Sequence, residues 1–332
     1  GDLSTLGTPI KDAVALAEEE INVNNVIPGK KITILYEDDA CDPVKSTNAV
    51  HKLIDTDKVT ALIGPACSGT VLAAAPIVEE SKVLLLSYSA TNPTIKDSGE
   101  YIFRNVPSDS GQGVAGADIV QKLGAKKAAV IYRQTDWGVG LKDVFSTQAA
   151  KNGIEIVAVE AYNSDEKDFK VQISKVKEAK PDAIYMLAFP AEAVVLLKQI
   201  REAGLTVQII AADGSKDNTI ISGAGTAAEG MIVTLPAVEK SAELDKFAAA
   251  FKAKTGKENS AYTPEAYDAV YILAKACANT DCTSTAMKDF LYSMGEYKGA
   301  SGTYSFDKDG EVQKSYDFFQ VKDDKFVPYT AS

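Results

Sequence analysis

The sequence predicts an α/β protein in which parallel sheets are covered by helices. Residues 83–86 are four consecutive apolar side chains, the mark of a strand buried on both faces. Strand-like and helix-like stretches alternate along most of the chain, as parallel strands with crossover helices require. The pattern restarts after residues 101–106, and 332 residues give room for two cores.

The first element is a helix opening at Thr8-Pro9, because Thr caps well and Pro suits the first helical position. Its apolar residues Ile10, Val14, Ala17 and Ile21 share a face, and an Asn-rich stretch with Pro28-Gly29 ends it. A strand over 32–36 follows, then an acidic loop, a helix to about residue 56 and a strand over 59–63. Gly64-Pro65-Ala66-Cys67-Ser68-Gly69 turns into a helix over 70–80, which leads to the strand at 83–86. That strand breaks into Ser87-Tyr88-Ser89-Ala90-Thr91-Asn92-Pro93, hydroxyl residues closed by a turn dipeptide. In the second unit, helices over 111–123, 138–151, 167–177 and 191–203 precede strands over 128–132, 154–160, 183–187 and 207–211 in a staggered alternation. A further strand covers 231–235, and helices cover 242–254, 264–277 and 284–294. Short strands over 303–306, 316–321 and 326–329 form no unit of their own, so the tail is expected to return and complete the earlier lobes. One element is missing from the pattern. Residues 1–7 read as a polar loop, so the first helix has no apolar strand ahead of it.

Composition excludes several classes. Hydrophobic residues make up 45% and charged residues 24%, a soluble globular profile, and no signal peptide is visible. No apolar run approaches the roughly 20 residues that span a bilayer. A net charge of −11 argues against nucleic acid, which needs clustered Lys and Arg. Four cysteines without Cys-x-x-Cys spacing and a single histidine, His51, argue against zinc, and no metal or cofactor is expected. The even count fits either two disulfides in an oxidising compartment or buried thiols. Cys41 and Cys67 each follow an expected strand, and Cys277 and Cys282 enclose a short polar turn. Gly111-Gln112-Gly113-Val114-Ala115-Gly116 has dinucleotide-fingerprint spacing, but its lead-in is polar rather than a buried strand. Asp307-Lys308-Asp309-Gly310 reads as a hairpin turn, since Phe318 stands where a calcium loop needs a carboxylate. Ser-His-Asp or Cys-His catalysis would have to use His51, which reads as a surface residue, so no enzyme machinery is visible.

Polar groups gather instead at expected strand ends, where ligands bind in open α/β sheets. Ser68 sits at a helix start, where N–H groups favour an anion. Ser89, Ala90 and Thr91 follow the strand at 83–86, Trp137 lies in a Gly-flanked loop, Phe189 precedes Pro190, and Asp213 ends a strand. Anion donors from one unit, with a carboxylate and two aromatics from the other, suit a zwitterion with an apolar side chain.

Glu37-Asp38-Asp39-Ala40-Cys41-Asp42-Pro43, Ile63-Gly64-Pro65-Ala66-Cys67-Ser68, residues 87–93, Trp137-Gly138-Val139-Gly140, residues 165–169, Ala228-Glu229-Gly230-Met231, Glu265-Ala266-Tyr267-Asp268-Ala269 and residues 299–310 carry a resemblance over nearly the whole chain. In their order and content they resemble the type I periplasmic solute-binding proteins of the branched-chain amino-acid (leucine/isoleucine/valine) ABC transporter class. The resemblance implies two Rossmann-like lobes joined by a multi-strand hinge, residues 1–106 plus 238–315 and residues 107–237 plus 316–332. A ligand would lie in a cleft between them, trapped by closure. It implies that Ser68 and Thr91 hold the α-carboxylate. The Ser89 carbonyl, the Thr91 hydroxyl and Asp213 would hold the α-ammonium. Trp137, Phe189 and Leu6 would wall the pocket, and Ala90, between Ser89 and Thr91, would belong to the ligand-binding set. Cys41–Cys67 matches the family's disulfide, whereas Cys277–Cys282 rests on spacing. The implied partners are a free amino acid and the membrane permease of an ABC importer, for a monomer in the periplasm or outside the cell. A ligand-sensing ectodomain, or a binder of aromatic or short-chain carboxylates or amides, are the alternatives. Three departures stand out: the missing first strand, Leu6 where the family often has an aromatic, and Asp213 where many members have Glu.

Overall fold

A computed structural model describes residues 3–330, so Gly1, Asp2, Ala331 and Ser332 of the expected termini lie outside the described residues. In chain order, α1 (Ser4–Val23), α2 (Pro43–His51), β1 (Ala61–Ile63), α3 (Ser68–Ser81), β2 (Leu84–Ser87) and β3 (Ile102–Arg104) come first. Next are α4 (Asp109–Lys122), β4 (Lys127–Arg133), α5 (Asp136–Lys151), β5 (Glu155–Tyr162), α6 (Lys170–Ala179) and β6 (Ala183–Leu187). They continue into α7 (Pro190–Glu202), β7 (Gln208–Ala211), α8 (Asn218–Ala224) and β8 (Ile232–Pro236). The chain ends with α9 (Ala242–Thr255), α10 (Thr263–Ala278), α11 (Ser284–Ser293), β9 (Tyr297–Gly299), β10 (Gly302–Tyr304), β11 (Tyr316–Lys322) and β12 (Lys325–Tyr329). Contacts divide it into two compact units, and the chain passes between them at 108/109, 237/238 and 314/315.

The second unit is built on a seven-stranded sheet in the order β12-β11-β8-β7-β6-β4-β5. The strands β4 to β8 run parallel, and β11 pairs antiparallel with both β8 and β12. Alternate side chains feed two cores, because successive residues of a strand point to opposite faces. Ile131, Ile184 and Met186 enter one, and Val130, Tyr185 and Leu187 the other. The glycines at 113 and 116 allow close packing. A Cβ at Gly113 would lie 2.6 Å from Val144 of α5, and one at Gly116 would lie 3.0 Å from Tyr185.

The first unit holds a three-stranded parallel sheet, β1-β2-β3, and a β9-β10 hairpin. Leu85 enters one core while Leu84 and Leu86 enter another, so the run at 83–86 is buried on both faces as its composition requires. A third core joins α1, α9 and α10 through Val14, Ile21, Phe247, Phe251 and Val270.

Four sequence expectations need correction. Residues 32–36 are not a strand: they run without a ladder partner, since β1 pairs only with β2 among the described residues. Side chains of α1 meet their amides instead, Asn22 Oδ1 accepting from Ile32 N at 2.9 Å and Glu18 Oε1 from Ile34 N at 3.0 Å. Helix α1 begins at Ser4 rather than Thr8, and Pro9 falls inside it, within the first two turns. The tail forms two hairpins, β9–β10 and β11–β12, and the strand over 297–299 in the first of them was not expected. Asp307–Gly310 does turn, Gly310 N–H donating to Asp307 O at 3.1 Å, but its flanking strands β10 and β11 belong to different sheets.

Both cysteine pairs are disulfides, with Cα–Cα separations of 5.6 Å for Cys41–Cys67 and 4.2 Å for Cys277–Cys282. The first closes a sequence separation of 26 and the second a separation of 5. Loop-closure entropy then assigns them about 3.5 and about 2 kcal/mol. Denaturant melts should show the Cys41→Ser/Cys67→Ser variant losing more stability than Cys277→Ser/Cys282→Ser; equal losses would contradict the loop-length account.

Candidate functional site

In the first unit, two strand-end loops are stitched together by hydroxyl groups. The chain leaves β1 through Gly64-Pro65-Ala66 and enters α3 at Ser68, with Cys67 as the N-cap, pinned to Cys41. The chain leaving β2 lies beside it. Ser87 Oγ donates to Pro65 O at 3.1 Å, Ser89 Oγ donates to Ala66 O at 2.8 Å, and Ser68 Oγ accepts from Asn92 N at 3.1 Å. A hydroxyl that accepts in this way keeps its proton for a second partner. Ser68, Ser89, Ala90 and Thr91 are all at most 8% exposed, so a group reaching them exchanges water for protein partners. The 14-residue helix α3 starts at Ser68, and its dipole favours negative charge at that end.

Arg104 holds this loop from beneath. It is 1% exposed, and its Nη1 donates to Ala90 O at 3.2 Å and Asn92 O at 2.8 Å. Its Nη2 pairs with Glu311. Burial pushes the Glu311 carboxyl above the usual carboxylate range, and the Arg104 guanidinium opposes that rise.

In the second unit, three strand ends gather the other residues. Trp137 lies in the first turn of α5, which Thr135 caps by accepting from Gly138 N at 3.3 Å. Phe189 leaves β6 and is the N-cap of α7. The two rings stack with centroids 4.8 Å apart at 27°. Asp213 leaves β7, is 5% exposed, and opens a single 3₁₀ turn. Ser215 fastens that turn to the β6 exit by donating to Ala188 O at 2.7 Å. Gly214 allows the approach: a Cβ there would stand 3.1 Å from the Phe189 ring and 3.2 Å from Ala188 O. The Arg133 guanidinium lies 5.1 Å from the Phe189 ring centre and pairs with Glu192 at 2.5 Å, both side chains nearly buried. The phenol of Tyr185 is held well above its ordinary range, by burial first and then by the carboxylates of Asp109 and Asp213.

The structure therefore brings Ser68, Ser89, Ala90 and Thr91 together on adjoining loops of one unit, and Trp137, Phe189 and Asp213 together in the other. Leu6 shares a lining with residues of the two hydroxyl loops. It lies on α1 and lines a channel with Pro65, Ala66 and Tyr88. His51 is exposed and pairs with Asp55 at 2.9 Å, a surface role. No group of three metal-ligating side chains and no helix long and apolar enough to cross a membrane occurs among the described residues. Sequence reasoning missed Arg104 and Arg133. The signal was present in both cases: an arginine closing a short apolar strand is a buried charge, and buried charges need partners.

The chain matches the profile of the periplasmic binding protein family over residues 1–325. It is 30% identical over 321 residues to a leucine-, isoleucine-, valine-, threonine- and alanine-binding protein of Pseudomonas aeruginosa, covering 96% of this chain and 86% of that one. A Leu/Ile/Val-binding protein homolog of Brucella abortus is 34% identical over 320 residues, covering 94% and 84%. Among solved structures, the leucine-binding protein LivK of Thermotoga maritima superposes with a TM-score of 0.93 at 29% identity, covering 99% of this chain and 95% of that one. Match and superposition both run nearly end to end, and the chain belongs to the periplasmic binding protein family.

Proposed function

We propose that this protein captures a free amino acid with an apolar side chain, of the branched-chain kind, and delivers it to the permease of an ABC importer. The relatives named for leucine, isoleucine and valine support the ligand class. The family's periplasmic members support a place outside the cytoplasmic membrane. The observation that carries the reading is the pairing of chemistries. Ser68, Thr91 and the start of α3 suit a carboxylate; buried Asp213 suits an ammonium; the Trp137–Phe189 stack beside it suits an apolar side chain. Each charge of a zwitterion needs a partner once it leaves water. The bound compound is released unchanged.

A thermal-shift and calorimetry panel of the twenty amino acids with benzoate and short-chain carboxylates tests this. A ligand at 100 times its Kd adds about 2.7 kcal/mol to the folded state, a shift of a few degrees. Leucine, isoleucine or valine should give that shift. A response to carboxylates lacking an amine, and not to amino acids, would leave the Ser68/Thr91 anion site standing and remove Asp213 from its role.

A further inference from the structure

In the second unit, a groove of about 730 Å³ runs between α8 and the β11–β12 hairpin. Ile221 and Ser222 of α8 line one side, and Asp324, Lys325 and Phe326 of the hairpin line the other. Lys216 lies at the approach to α8. It closes the turn that Asp213 opens, its backbone N–H donating to Asp213 O at 3.0 Å, and its side chain lines the groove.

The Lys216 ammonium sits over two aromatic rings, 5.1 Å from the centre of Phe319 and 4.4 Å from that of Phe326. Both rings stand on one face of the hairpin, because Phe326 pairs with Val321 and residues 319 and 321 point the same way. Phe326, Val321 and Ile221 meet in one core, which holds that face in place. Burial pushes the Lys216 ammonium below its usual range, and the Asp217 carboxylate opposes that fall. Among the described residues, no carboxylate is in ion-pair contact with it.

We infer that this groove is a second small-molecule site, built for a monocarboxylate with an apolar body, its charged head on Lys216 and its body against Ile221 and Phe326. A cation partly removed from water needs a counter-charge, and ring faces supply only part of one. The number of charges selects the head. Lys216 and Lys325 bring two ammonium groups and Asp324 one carboxylate, so a single positive charge is left over and a monoanion balances it. The remaining lining selects the body. Ile221 and Phe326 offer apolar surface, and the volume is that of an organic-ligand site, far larger than a bare inorganic ion fills. Asn218 adds an amide that can donate to the same head. Ser222 cannot, since its Oγ donates within α8, at 3.3 Å to Asn218 O and 3.2 Å to Thr219 O.

The test uses hexanoate as the probe and the whole chain labelled with ¹³C-lysine, at constant ionic strength and with leucine in excess. Hexanoate should shift the Lys216 signal and raise the pH at which that side chain loses its proton, because a bound carboxylate favours the ammonium. Calorimetry should show hexanamide and inorganic phosphate binding ~10-fold or more weakly than hexanoate. Lys216→Met should weaken hexanoate by ~10-fold or more. Lys325→Glu, at an exposed position, should weaken it by ~3-fold. Thermal melts show whether each variant folds, and if Lys216→Met does not, Lys325→Glu and the Lys216 titration decide. An unmoved Lys216 signal overturns the inference. So does hexanamide or phosphate binding as tightly as hexanoate, the first making the groove merely apolar and the second merely basic. Hexanoate that binds Lys216→Met as well as the wild type, or that leucine displaces, also overturns it and places the carboxylate at Ser68 and Thr91. Those residues belong to the other unit, so a failure of leucine to bind leaves the Lys216 site standing.

Discussion

Asp213→Ala is expected to weaken binding of leucine by about 3–5 kcal/mol, roughly two to four powers of ten in Kd. The size follows from where the carboxylate sits. Asp213 is 5% exposed at the exit of β7, one residue from the glycine that packs on Phe189. Truncation would strand the ligand's ammonium in a place that water reaches poorly, and an uncompensated buried charge costs far more than an exposed pair contributes. Asp213→Asn separates charge from shape: it keeps the side chain's volume, so its loss of affinity measures the charge. Isothermal calorimetry gives Kd for both variants, and thermal melts without ligand show whether either has lost its fold. Wild-type affinity for leucine in Asp213→Asn would end the ammonium assignment.

How far the sequence could be read depends on whether a feature is local. The run at 83–86 and the hydroxyl loop after it were legible because a doubly buried parallel strand shows as unbroken hydrophobicity and its exit as turn chemistry. The strand-exit positions of Asp213 and Phe189 were legible for the same reason, each standing next to an apolar run. Residues 32–36 show the limit. Their composition is that of a strand, but strandedness is a property of a pair, and no strand among the described residues pairs with them. Helix α1 was misplaced at its start because Thr8-Pro9 satisfies the local rule for a beginning while Ser4 begins the helix anyway. The supports of the site were hidden by distance along the chain. Arg104 and Glu311 are separated by 207 residues, and nothing in either neighbourhood names the other. Arg133 and Glu192 are separated by 59, with the same result.

Arg104→Met should cost about 3–5 kcal/mol of folding stability, because it leaves Glu311 nearly buried without its cation. Denaturant unfolding should show the loss as a lower midpoint with an unchanged slope. The double variant Arg104→Met/Glu311→Leu should regain much of that stability, since a buried ion pair replaced by apolar groups of similar size is often neutral or better. Ligand affinity should not recover with it. Arg104 also donates to Ala90 O and Asn92 O, and these bonds fix the backbone between Ser89 and Asn92 whatever happens at Glu311. With both carbonyls released, the loop must be ordered again on each binding event, and that conformational cost is subtracted from affinity. Stability restored while Kd stays raised would identify Arg104 as a positioning residue for the hydroxyl loop. Stability and affinity recovering together would make it a structural arginine only.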